Sequence, residues 1–242
     1  MRRILFAIAS VLFVCASAKA ELCQSFVGST MKGHREVPTA NWRTDYPVRY
    51  PNPKDMQAWE RFNFATQPVD YMNAVLKSAR DSFSLKDRRL VGTGKEPWWI
   101  SEWLDYGTSG REPHMGLTKE RGPNPGDLSQ TSAAGYQVWA VGFYNLPGAV
   151  VLGDIFAEPC NPSLPVALKF PADTASVKFL FTDASTDDVA YLKDAPEFDA
   201  IIDAAGSGSD SRPVEQRSLR TVRLLQVDIA VKDPRATDTG WV

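Results

Sequence analysis

The sequence predicts a mainly β fold: an antiparallel sandwich of jelly-roll-like type with an N-terminal helix and short inserted helices. A mixed α+β arrangement is the alternative. Three observations predict it. Residues 176–182 and 221–231 alternate apolar side chains with others at a period of two, the pattern of a strand with two different faces. The strand-like runs are joined by short turns, without the regularly interleaved helices of a parallel sheet. The chain has 242 residues, 43% of them hydrophobic, enough to fill one substantial core.

The first element is an address rather than structure. Met1-Arg2-Arg3 is positive, Ile4 to Val14 is almost wholly apolar, and Ser17-Ala18-Lys19-Ala20 offers small residues for cleavage. This is the pattern of a secretory signal peptide cut after Ala20. The apolar run falls short of the roughly 20 residues that span a membrane. Residues 21–242 then form a single β-rich domain with an extended and helical arm over 21–95, located in the periplasm or secreted.

Cleavage removes Arg2, Arg3 and Lys19, so 27 basic residues become 24 against 29 acidic, a net charge of −5. That balance argues against a nucleic-acid partner. Cys15 leaves with the signal, and Cys23 and Cys160 are expected to pair as one disulfide in an oxidising compartment. The other reading is two unrelated buried thiols.

Pro38, Pro47, Pro51 and Pro53 break regular structure in the arm, leaving a helical turn expected near Lys54–Arg61. Pro68 then opens a helix over 68–82, with Asp70 at its positive end and Val69, Met72, Val75, Leu76 and Ala79 on one face. Strands are expected at 136–144 and 149–156, joined as a hairpin through Asn145-Leu146-Pro147-Gly148. Strand 176–182 follows. Short helices are expected from Ser185 to Lys193 and from Pro196 to Ala204, then a polar loop over 206–211 and a strand over 221–231. Thr239-Gly240-Trp241-Val242 ends on an apolar pair, which suggests a chain cut short within a strand; the alternative is a natural end with Trp241 docked in the core.

The densest chemistry lies in Pro97–Arg121, which holds Trp98, Trp99, Trp103, Asp105, Arg111, Glu112, His114 and Glu120. Glu112 and Glu120 are weak candidates for the acid and base of glycan cleavage, with His114 as a third candidate catalytic group. Their blander role is to pair with Arg111 and Arg121. Trp98, Trp99 and Trp103 are candidates for stacking on sugar, or else core packing. Arg111, Lys178, Gln226 and Asp228 would converge on a polar ligand if their sheet face were concave and covered. Ser109 lacks the nucleophile-elbow spacing, and Gly92-Thr93-Gly94-Lys95 lacks the full phosphate loop. Two histidines in all exclude a three-histidine metal site, and no metal or cofactor is expected.

The segment Gly110-Arg111-Glu112-Pro113-His114-Met115-Gly116-Leu117-Thr118-Lys119-Glu120-Arg121, with Trp139–Asn145 and Thr239–Val242, resembles the signature of a widespread family of secreted bacterial proteins. The resemblance covers roughly residues 57–242. It implies export and, because similar members continue past the Gly-Trp-Val into a further strand, a shortened chain. The family carries no assigned activity, so it implies no mechanism. Three functions are therefore carried forward. The first is a ligand- or glycan-binding or structural module of the cell envelope. The second is an extracytoplasmic glycan hydrolase. The third is a partner-binding domain of a larger assembly that accepts a strand at an open edge near Trp241.

Overall fold

The computed structural model describes residues 43, 45–49, 57–101, 117–120, 123–124, 126–129, 136–158, 162–202, 218–236 and 240–242. The architecture is mainly β and antiparallel, as the alternating runs require. Eight strands are described: β1 (Phe83–Lys86), β2 (Arg89–Gly92), β3 (Trp99–Ile100), β4 (Thr118–Lys119), β5 (Val138–Tyr144), β6 (Ala175–Thr182), β7 (Glu197–Ile202) and β8 (Ser218–Val231). The main sheet has six strands in the order β3-β5-β6-β8-β7, with β4 also paired to β5. Strands β1 and β2 form a separate hairpin. Helix α1 (Pro68–Ser82) precedes that hairpin, and helix α2 (Leu146–Ile155) follows β5.

Register explains the core. In β6, Val177, Phe179 and Phe181 face the same way as their partners Phe143, Val141 and Trp139 on β5. Against this face pack Tyr71, Val75 and Ala79 of α1, together with Phe83 and Leu90 of the hairpin. The Phe83 ring lies 4.9 Å from Phe143 and 5.2 Å from Phe179. Further along, Phe181 stacks on Phe198 of β7 at 4.9 Å. Helix and hairpin thus form a second, smaller layer over one face of the sheet. The hairpin turns through Asp87 and Arg88, both at positive φ (51° and 58°), which matches the twist of a two-residue connection.

Helix α1 and strands β6 and β8 lie close to where the sequence predicts them. Three expectations are corrected. Residues 149–156 are not the second strand of a hairpin; 149–155 lie in α2, which begins at Leu146, and Phe156 caps its end. Pro147 sits in the first turn, where its missing N–H costs nothing. Asn145 anchors the junction: its side chain donates to the Asp173 carbonyl and accepts from the Ala175 N–H, tying the helix start to the start of β6. Residues 196–204 are not a helix either. Glu197–Ile202 is strand β7, with Phe198, Ala200 and Ile202 buried. In the stretch 185–193 only a 3-10 turn forms, at Ala190–Leu192. The turn expected near residues 54–61 is a 3-10 turn at Ala58–Arg61.

Candidate functional site

The predicted polar face exists as a geometric unit. Lys178 on β6 stands opposite Asp228 on β8 and Gly142 on β5, so Lys178, Gln226 and Asp228 share the sheet face turned away from the main core. Glu120 reaches the same face: its N–H donates to the Val138 carbonyl, and its carboxylate lies 2.7 Å from the Lys178 ammonium. Gln226 donates to Asp228 at 2.5 Å. The described groups here are matched to one another, cation to carboxylate and amide to carboxylate. Glu120 therefore stands in an ion pair with Lys178. Arg111, Glu112, His114, Trp103, Cys23 and Cys160 lie outside the described residues, as do residues 1–20.

The two described tryptophans of the aromatic segment are packing residues. Trp98 is 7% exposed and lies 5.5 Å from the Phe83 ring. Trp99 is 2% exposed, donates its indole N–H to the Asp45 carbonyl at 2.9 Å, and is covered by the Arg43 guanidinium at 4.5 Å. Neither offers a flat face to a sugar.

A second site, absent from the sequence expectations, lies where the arm meets the ends of β6 and β8. A cavity of about 240 Å³ is lined by Trp59, Glu60, Asp173, Lys232, Asp233, Pro234 and Arg235. Each acid is placed by a different piece of local chemistry. Glu60 belongs to the 3-10 turn and accepts from the Gln57 N–H at 2.6 Å, closing the start of that turn. Asp173 sits just before β6 with φ at +67°, a left-handed conformation in which aspartate is one of the few tolerated side chains. Its backbone is held at both ends, the N–H by the Lys232 carbonyl at 3.0 Å and the carbonyl by Asn145. Asp233 follows β8 and is 3% exposed. Arg235 grips it through Nε and Nη2 at 2.8 and 2.6 Å, and the Tyr71 hydroxyl donates to it at 3.1 Å. Arg235 also donates to the Phe62 carbonyl, joining the arm to the C-terminal segment.

The environments drive the two aspartates in opposite directions. The Arg235 hydrogen bonds hold the Asp233 carboxyl below the usual carboxylate range, outweighing its burial. Burial pushes Asp173 up to about 7, helped by its hydrogen bond to Glu60 and by the negative charge of Asp233. Burial raises Tyr71 as well, with Asp233 adding to the effect, so the phenol stays a donor. Near neutral pH Asp173 therefore takes up and releases a proton at the cavity wall.

No spacing rule links residues 60, 173 and 233, which is why sequence reading missed them. The usable signals were local: an aspartate in the Pro171-Ala172-Asp173-Thr174 turn, and Asp233-Pro234-Arg235, an acid and a base flanking a proline just past a strand. Among the described residues, no three His, Cys, Asp or Glu side chains are placed to hold a metal ion, and no helix is long and apolar enough to cross a membrane. Compared with known protein families, curated proteins and solved structures, the chain matches none.

Proposed function

We propose that this protein is an exported binding module of the bacterial cell envelope, and that it takes a small hydroxyl-rich ligand of monosaccharide size in the cavity walled by Glu60, Asp173 and Arg235. The observation that carries this reading is a 240 Å³ cavity whose wall brings Glu60 and Asp173 beside the Asp233–Arg235 ion pair, where burial raises Asp173 to about 7. A carboxyl that holds a proton, as Asp173 does in this setting, presents a donor and an acceptor together, the complement of a hydroxyl group. The fixed cation of Arg235 balances Asp233, so a neutral ligand is favoured over an ion. The cavity is smaller than the ~300–1,000 Å³ of drug-sized sites, which limits the ligand to a single ring. Export through the N-terminal signal, cleavage after Ala20, the family relationship and the Cys23–Cys160 bridge belong to the same proposal.

The test is saturation-transfer NMR with neutral hexoses, amino sugars and linear polyols at pH 6 and pH 8. The expected result is binding of a neutral member, weaker at pH 8, and lost in Glu60→Gln and Asp173→Ala. No transfer to any of these probes at millimolar concentration refutes the reading. For the bridge, the secreted, denatured and unreduced protein should show no free thiol.

A further inference from the structure

A larger cavity, of about 390 Å³, adjoins the same 3-10 turn and shares no lining residue with the carboxyl pocket. Three elements wall it. The turn supplies Arg61 and the following Phe62, and the loop after β2 supplies Lys95 and Glu96. Helix α1 supplies Ala74, Lys77, Ser78 and Asp81, whose spacing of three and four puts them on one face. Each wall is fixed by its own bonds. Glu60 closes the turn on the Gln57 N–H, and Arg235 holds the Phe62 carbonyl. The loop is pinned to the end of α1 by Thr93, whose N–H donates to the Ser82 carbonyl at 2.8 Å and whose hydroxyl donates to the Asp81 carbonyl. Gly94, at φ +78°, then turns the chain as few other residues could, and Ser78 Oγ donates to Glu96 at 2.9 Å. Arg61, Lys77 and Lys95 meet Asp81 and Glu96 around this space, which leaves a net of one positive charge. Both acids are engaged, Asp81 by Lys77 at 2.6 Å and Glu96 by Ser78. Among the described residues the Arg61 guanidinium has no hydrogen-bond or ion-pair partner, and the Lys95 ammonium bears on Asp81 only through its charge. Phe62 and Ala74 pack against the core and also line the cavity, which gives it an apolar side.

We propose that this cavity binds a small organic monocarboxylate: one carboxylate group on a compact apolar body. The carboxylate takes the two cations that the protein leaves over, Arg61 through its planar fork and Lys95 as a point charge. The apolar body lies against Phe62 and Ala74. Charge selects against the alternatives. A dianion such as phosphate would turn the site net negative, because Glu96 keeps its own charge. A neutral molecule would leave the surplus positive charge unanswered. The volume falls within the ~300–1,000 Å³ of small-molecule sites. The two cavities have separate walls, so this site stands or falls apart from the neutral-ligand pocket.

The experiment is an amide-detected NMR titration of the purified chain with benzoate. Benzamide serves as its uncharged match, and inorganic phosphate as an anion without an apolar body. Millimolar benzoate should shift the Ala74, Ser78 and Glu96 amides saturably. Benzamide and phosphate should bind about tenfold more weakly or less. Arg61→Gln and Lys95→Gln each remove one charge from an exposed side chain, so both variants should fold, and each should weaken benzoate about fivefold. Three results overturn the proposal: no saturable shift of these amides with benzoate, benzamide or phosphate binding as tightly as benzoate, or an unchanged benzoate affinity in either variant.

Discussion

Replacing Asp173 by asparagine should erase a specific part of the pH dependence of folding. The carboxyl stands at about 7 in the folded chain against 3.8 when unperturbed. Between those values the folded protein holds a proton that the unfolded chain has released. Stability therefore falls as pH rises from about 4 to about 7, then levels off. The full linkage for a shift of this size is ~4 kcal/mol. The group is partly open to water and shares its environment with Glu60, Lys232, Asp233 and Arg235, so screening reduces the expected loss to ~1–2 kcal/mol. Asparagine keeps the shape, tolerates the +67° backbone, and donates to Glu60 at every pH. The assay is urea unfolding followed by fluorescence of the seven tryptophans, in steps from pH 4.5 to 8.5. Asp183, also raised by burial, is present in both proteins and cancels in the difference. The wild type should lose stability relative to Asp173→Asn across this range. Parallel curves would refute the assignment of a raised carboxyl.

Two further substitutions probe the surrounding structure. Gly148→Ala should destabilise by ~1–3 kcal/mol in thermal unfolding, despite the better helix propensity of alanine, because the new Cβ would lie 2.5 Å from Tyr144 Cδ1 and 2.9 Å from Thr174 Cγ2. Arg235→Ala leaves the buried Asp233 with only the Tyr71 hydroxyl and a backbone N–H. It should cost ~2–3 kcal/mol at pH 7 in chemical denaturation, with the deficit shrinking below pH 4 as Asp233 takes up a proton.

Much of the sheet was legible because its strands bury one face. Val177, Phe179 and Phe181 announce their side by alternation alone, and that same phase brings Lys178 opposite Asp228. The helix over 68–82 was equally plain from its proline start, but its buried face was misread: Tyr71, Val75 and Ala79 are buried, whereas Val69 and Met72 of the expected stripe are exposed. Ala149–Phe156 misled because an apolar run rich in valine, buried in tertiary contacts, has no periodicity that separates strand from helix. The deciding fact is long-range: Asn145 bonds to Asp173 and Ala175, which no local window contains. At Glu197–Ile202 the alternation was present in Phe198, Ala200 and Ile202, but Pro196 was weighed as a helix opener when it stands just before a strand. The carboxyl pocket was illegible for a different reason. Its members are ordinary acids until the fold buries them together, and burial is the cause of the Asp173 shift.

The bonds that build that pocket join distant parts of the chain: Tyr71 to Asp233 across 162 positions, and Arg235 to Phe62 across 173. Closing loops of that length carries a large entropic cost, which these contacts must offset. The cavity is thus a clasp, complete only when the arm has been drawn against the far end of β8. Whatever settles into it adds its binding energy to that closure, so occupancy should reinforce the fold where the arm meets the sheet.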